Sequence, residues 1–285
     1  MTLMLRLHSL TLALLCTGVA AAAQGAAPAP APVVEEVPFI TTPDHVTVAM
    51  LEMARVGPSD HVIDLGSGDG RIVITAARRF GARGLGVEIV PDLVARSVAN
   101  ARLAGVSERA EFRTQDLFDT DLSPATVVTM YLLPEVNLAL RPRLLALAPG
   151  TRIVSHDWDL GDWRPDRTLT LAVPQKTIGL EKLSRLHLWT VPARVEGLWC
   201  GAGDLALQVT QQFQAVAMEL TQGKERRSYS GRIDGRSLNA WGAHGANWTA
   251  LADDRGLHIA PVANVSGLSH QLLRRSPGAT CATPP

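Results

Sequence analysis

One stretch, VIDLGSGDGRIVITAA at residues 62–77, constrains the fold more than any other part of the chain. An apolar run ends in Asp64 and Leu65, and Gly66, Gly68 and Gly70 follow at once. Beyond them Ile72, Val73, Ala76, Ala77 and Phe80 recur at helical spacing. The pattern predicts a strand over 61–65, a tight turn and a helix over 71–80, with Gly81 at the helix end. The rhythm continues with a strand at 84–89 and a helix at 92–104, opened by Pro91 and closed by Gly105. Further strands are predicted at 111–114, 126–131 and 152–155. Strands alternating with helices imply an α/β, Rossmann-like parallel sheet with helices on both faces. In such sheets a ligand sits beyond the carboxyl ends of the strands, where the strand order reverses.

The residues at those ends carry the functional reading. A dinucleotide turn reads G-x-G-x-x-G and sets a pyrophosphate on a helix N-terminus. This chain instead reads G-x-G-x-G, as Gly66-Ser67-Gly68-Asp69-Gly70, with Asp64 before it and Asp69 within it. Two carboxylates repel a pyrophosphate at close range and suit a cationic ligand without phosphate. S-adenosylmethionine, with its sulfonium, ammonium, ribose and adenine, is such a ligand. The glycines let the backbone approach its amino-acid part. Glu88, 24 residues beyond Asp64, is placed to accept both ribose hydroxyls, Ile89 to cover one face of the adenine, and Asp116 to accept from the adenine amine. Taken singly, each has an ordinary reading: a surface glutamate, or a turn-capping aspartate. Their coincidence at three successive strand ends assigns the cofactor.

With the strands placed, the resemblance is to class I S-adenosylmethionine-dependent methyltransferases. DLGSGDGRIVITAA resembles the turn of the Dot1-like histone lysine methyltransferases. It is also similar to that of the lysine methyltransferases of the mitochondrial ATP synthase c-subunit and the adenine nucleotide translocase. The segment TTPDHVTVAMLEMARV before the first strand fits the same families. There a Thr-Pro and a short helix lie over the cofactor, which implies that role for Thr42 and Pro43 here. The resemblance spans about residues 41–160 and implies a protein amine, lysine above all, as methyl acceptor.

Methyl transfer is an in-line displacement in which the cofactor supplies the reactivity and the protein supplies position and a dry site. Tyr131, at the end of the fourth predicted strand, is the candidate to line the acceptor channel, where its ring can attract an ammonium. Core packing is its alternative role. The sequence Met130-Tyr131-Leu132-Leu133-Pro134 departs from the D/N-P-P-Y motif of adenine-N6 and related amide methyltransferases, which argues against that substrate class. Asn137 reads either as a substrate contact or as a helix cap. In SHDWDLGDW, residues 155–163, the cluster of His156, Asp157, Asp159 and Asp162 has too few Cys and His ligands for a structural zinc site. It reads as a loop bordering the substrate pocket, and no metal is expected.

The rest of the chain differs in character. Three of the 27 basic residues are Lys, and all six Trp lie at or beyond position 158, which points to two domains. Twenty-seven acidic residues balance the basic ones, leaving no electrostatic reason to bind nucleic acid. Segments 168–173 and 184–193 alternate like a terminal antiparallel pair. Strand-like runs at 204–220, 227–241 and 248–262, with IDGR and DDRG as hairpin turns, predict a small antiparallel barrel or meander. At the other end, residues 1–23 have the form of a signal peptide with an Ala21-Ala22-Ala23 cleavage site, and residues 24–40 form a Pro/Ala linker. The expected domains are a methyltransferase domain at 41–195, a β-barrel-like domain at 196–275 and a disordered tail at 276–285. Once the signal is removed no stable membrane span remains. Export to the periplasm is expected if the signal is genuine, and a cytoplasmic location otherwise. Cys200 and Cys281 then either pair or stay as separate thiols. A small-molecule acceptor and a non-catalytic exported binding module are the alternatives, the latter because the cofactor is made and used in the cytoplasm.

Overall fold

In the computed structural model of the protein, residues 40–177, 181–262, 265 and 267–281 are described. The expected signal peptide and nearly all of the linker lie outside these residues. The first element, α1 (Asp44–Met53), leads into β1 (His61–Leu65), the glycine turn and α2 (Arg71–Phe80). There follow β2 (Arg83–Glu88), α3 (Pro91–Leu103), β3 (Ala110–Thr114), β4 (Val127–Met130), α4 (Pro134–Leu144) and β5 (Arg152–His156). Then come β6 (Arg167–Ala172) and β7 (Leu183–Thr190). The predicted bounds of β1 and α2 coincide with the observed ones, and those of the other elements up to β5 shift by one residue at one or both ends.

The seven strands form one sheet in the order β3-β2-β1-β4-β5-β7-β6. Strands β1 to β5 are parallel, and β7 runs antiparallel to both β5 and β6. The order reverses between β1 and β4, so the crevice lies at their carboxyl ends, beside the glycine turn. Side chains alternate across the strands. Val62, Val127 and Val154 share a core with Val46 and Met50 of α1 and Ile72 and Ala76 of α2. Their neighbours Ile63, Val128 and Ile153 share another with Leu140 and Leu144 of α4.

The C-terminal strands close on themselves. They are β8 (Gly197–Cys200), β9 (Ala206–Gln212), β10 (Ala215–Gln222), β11 (Glu225–Asp234), β12 (Ser237–Gly242), β13 (Trp248–Asp253), β14 (Gly256–Ile259) and β15 (Leu272–Arg275). Each pairs antiparallel with the next, and β15 returns to β8 to complete an eight-stranded barrel. The short turns between β11 and β12 and between β13 and β14 fall at the predicted IDGR and DDRG sites. Alternate residues such as Leu207, Val209, Val216, Met218 and Ile233 fill the interior.

Gln214, in the β9–β10 turn, joins the barrel to the sheet. It accepts from Trp163 Nε1 at 3.0 Å and donates to the Arg164 carbonyl at 3.2 Å and to Asp166 at 2.9 Å. A disulfide links Cys200 to Cys281. It ties residues 276–281 to β8, where the sequence suggests disorder from Ser276; residues 282–285 lie outside the described residues. Among the described residues no helix is long and apolar enough to cross a membrane.

Candidate functional site

The glycine turn is built as the residue types require. Gly66, Gly68 and Gly70 all adopt left-handed backbone, with φ of +73°, +55° and +80°. A Cβ on Gly66 would sit 2.9 Å from Leu132 Cδ2, and one on Gly70 would sit 2.7 Å from the Phe112 ring. The Gly66 and Ser67 N–H groups both donate to the Val87 carbonyl at 2.9 Å, which pins the turn against β2. Ser97 Oγ donates to the Gly68 carbonyl at 2.8 Å from below.

Four acids stand around this turn, in different states. Asp64 is 2% exposed and accepts from Thr129 Oγ1 at 2.7 Å. Burial pushes its carboxyl up to about 7; the Thr129 hydrogen bond opposes this, while the charges of Glu88 and Asp69 add to it. Glu88 closes β2 and takes the Gly68 N–H at 3.1 Å on one oxygen and the Ile89 and Val90 N–H groups at 2.8 and 3.1 Å on the other. Asp116 is exposed and accepts from Phe118 N–H at 2.7 Å, with its second oxygen uncommitted among the described residues. Asp69 turns elsewhere: both its oxygens are held by Arg71, at 2.9 and 2.6 Å. Burial raises its carboxyl, but the Arg71 hydrogen bonds and charge outweigh that and hold it below the usual range.

These residues fit S-adenosylmethionine. Asp64 is a buried carboxylate with no cationic partner among the described residues, and Ser67 Oγ is buried with no hydrogen-bond partner there. Ile89 is 66% exposed, and Val90, Phe118 and Leu133 are also exposed apolar side chains close to strand ends. An acidic floor with an apolar rim matches a ligand that is cationic at one end and an aromatic base at the other.

A second cluster lies at the ends of β4 and β5. The Tyr131 ring packs on His156 with centroids 3.9 Å apart and planes tilted by 30°, and its hydroxyl donates to Asp157 Oδ2 at 3.2 Å. Burial, then the Asp157 charge, raises the phenol further, so it stays protonated. His156 is 1% exposed and spans Thr42 Oγ1 at 3.2 Å and Ser184 Oγ at 2.8 Å. Burial pushes its imidazole well below the usual histidine range, against the pull of Asp157, so the ring is neutral near pH 7. Asp157 adopts a φ of +66° and is fixed by Arg185, whose N–H it accepts at 2.9 Å. Burial raises the Asp157 carboxyl, but Lys176 Nζ at 2.6 Å and the Arg185 N–H win, and it stays below the ordinary value.

The structure therefore gathers Asp64, Gly66, Ser67, Gly68, Gly70 and Glu88 around one turn. Ile89 and Asp116 border it on the exposed side, and Asp69 is held in an ion pair with Arg71. Thr42 is buried between the two clusters: its hydroxyl meets His156 and its carbonyl accepts from Arg71 Nη1 at 2.8 Å. Asn137 corrects the helix-cap expectation. It lies inside α4, fully buried, and donates to Ser155 Oγ at 3.1 Å and to the Trp158 carbonyl at 3.2 Å. The sequence does not single out Lys176, in the β6–β7 connection, or Ser184, at the start of the predicted 184–193 strand; the β5–β7 pairing brings them to the site.

Comparison with known proteins adds to this geometry. The family model of the ANTKMT methyltransferase domain matches residues 64–167. The chain is 45% identical over 138 residues to a protein-lysine N-methyltransferase of Saccharolobus islandicus, a match covering 48% of this chain and 86% of that relative. It is 35% identical over 132 residues to the adenine nucleotide translocase lysine N-methyltransferase of Mus musculus, covering 46% of this chain and 57% of the relative. A solved structure of an RNA methyltransferase from Salinibacter ruber in complex with S-adenosyl-L-homocysteine is 52% identical, with 55% of this chain and 96% of that chain covered and a TM-score of 0.49. The chain thus spans most of the archaeal relative but little more than half of the mouse one.

Proposed function

The chain belongs to the class I S-adenosylmethionine-dependent methyltransferases, and from that premise we propose that it methylates the ε-amine of a lysine in a protein substrate. The observation that carries the acceptor reading is the largely buried Asp157 carboxylate, bonded to the Tyr131 hydroxyl at the end of β4. A carboxylate framed by aromatic rings attracts an ammonium and suits an uncharged or anionic acceptor poorly. The lysine methyltransferases among the relatives support the same reading.

When bound, S-adenosylmethionine supplies an electrophilic methyl group on sulfur. On this reading the chain does the rest. Asp64 faces the cationic amino-acid end, the glycine turn admits it, Glu88 accepts from the ribose, and Ile89 and Asp116 receive the adenine. Asp69 acts at one remove, by holding Arg71 against the Thr42 carbonyl. Tyr131 lines the acceptor approach, with its hydroxyl on the Asp157 carboxylate that attracts the ammonium. Helices covering both sheet faces belong to this reading, supported by the alternation of β1, β4 and β5 residues between the α1–α2 and α4 cores.

The same reading divides the chain into a methyltransferase domain at 41–195 and a barrel domain at 196–275. We place it in an exported, oxidising compartment. The leader-like residues 1–23 and the Cys200–Cys281 disulfide both support this. The test is transfer of tritium from methyl-labelled S-adenosylmethionine to poly-L-lysine and to periplasmic protein fractions, beside a Glu88→Ala variant. Label in methyl-lysine that vanishes in the variant supports the proposal. Label in nucleic acid or small molecules alone refutes it.

A further inference from the structure

We propose that Asp157, the Tyr131 hydroxyl and the Leu183 carbonyl form a socket for a primary ammonium, built for a substrate lysine and filled in the free protein by Lys176. This inference rests on the lysine reading above and adds how the acceptor is captured.

Lys176 Nζ lies 2.6 Å from Asp157 Oδ2 and 2.7 Å from the Leu183 carbonyl. The same Asp157 oxygen takes the Tyr131 hydroxyl, and the other takes the Arg185 N–H. Both charged side chains are largely buried, Lys176 at 16% and Asp157 at 14% exposure. A carboxylate so placed is costly without a cation. The socket must therefore hold one ammonium or another, and exchanging Lys176 for a substrate lysine preserves the charge balance. The choice of residue points the same way. The chain has three Lys among its 27 basic residues, yet one of them stands here. An ammonium is a compact charge with three donors, whereas a guanidinium is a planar fork that fits a different set of acceptors.

The socket is also joined to the cofactor crevice. Tyr131 packs against His156, His156 meets Thr42, and the Thr42 carbonyl is held by Arg71, the first residue after the glycine turn. A lysine side chain entering along this wall meets the socket beside the turn. The socket captures the charged form; the ammonium then releases one proton to solvent water, and the free amine takes the methyl group as the cofactor's sulfur–carbon bond breaks and leaves a neutral thioether.

The experiment is saturation-transfer NMR of n-butylammonium with the full chain, comparing wild type, Lys176→Ala, Lys176→Met, Lys176→Arg and Lys176→Met/Asp157→Asn. Emptying the socket with Ala or Met should tighten binding at least ~tenfold over wild type and Lys176→Arg, as expected for a regained charge-assisted contact. Asp157→Asn should abolish that gain, and tetramethylammonium, which has no N–H, should show none. n-Butylammonium should also raise the melting temperature of the emptied variants and not that of wild type. Equal binding in wild type and both emptied variants, or a gain that survives Asp157→Asn, overturns the socket. Poly-L-lysine methylation is measured in parallel. Butylammonium capture without any lysine methylation refutes the lysine reading and leaves the socket standing. Methylation with no gain on emptying refutes the socket alone.

Discussion

Thr129 donates its hydroxyl to Asp64 at 2.7 Å across the β1–β4 junction, where the two residues are register partners. This neutral donor is the one side-chain partner of a fully buried carboxylate among the described residues, at the point where the strand order reverses. A single neutral hydrogen bond does not offset the burial of a charge, and the Asp64 carboxyl rises to about 7.

The sign of the resulting pH dependence follows from that rise. A carboxyl raised in the folded state holds its proton there more tightly than in the unfolded chain. Its contribution to stability is therefore full below the ordinary value of 3.8 and is lost as pH climbs through about 7. The shift corresponds to roughly 4 kcal/mol. Urea denaturation from pH 5 to 8 should show this slope in wild type and a flatter one in Asp64→Asn. The variant should be more stable than wild type at pH 8 while binding S-adenosylmethionine more weakly. An unchanged slope would refute the burial argument.

Glu88 is held ready by three backbone N–H groups. Glu88→Gln keeps the shape but loses charge-assisted acceptance, worth about 1.5–3 kcal/mol per bond. Calorimetry should show S-adenosylmethionine affinity falling about ten- to a hundredfold. Full affinity in this variant would remove Glu88 from the site.

At the opposite end of β1, Asp60 organises the sheet and not the site. It accepts from Thr126 Oγ1 at 2.7 Å and Gly57 N–H at 2.8 Å, and it pairs with Arg152. Burial raises its carboxyl, but these partners outweigh it and leave it below the ordinary aspartate value. Its contribution is thus present above the unfolded value and is lost as pH falls through the lower folded one. Asp60→Ala should cost about 3 kcal/mol at pH 7, with S-adenosylmethionine affinity unchanged at temperatures where the variant is folded.

The disulfide spans 81 residues and closes the barrel strands into one loop. On the chain-entropy account such a loop stabilises by about 4 kcal/mol. Cys200→Ser/Cys281→Ser, or reduction of wild type, should lower the unfolding free energy of the barrel by a comparable amount, read from denaturant titration. S-adenosylmethionine binding to the folded protein should persist, because neither cysteine approaches the glycine turn.

What was legible in the sequence is what depends on neighbours along the chain. The strand, glycine turn and helix at 61–80 follow from apolar spacing and from backbone that only glycine adopts freely, so β1, α2 and the position of Asp64 at the strand end could be placed in advance. The hairpin turns of the barrel were legible for the same reason. Tertiary structure decided the rest. Arg71 takes both oxygens of Asp69 and also reaches back to the Thr42 carbonyl. Asn137 faces inward from α4 to satisfy the loop after β5. Strand β7 inserts between β5 and β6, and so brings Ser184 to His156 and the Leu183 carbonyl to Lys176. Strand β15 returns to β8, and Cys200 meets Cys281. Each of these outcomes is a contest between partners for a buried charge, donor or strand edge, decided by which group comes within hydrogen-bond reach only after the chain has folded.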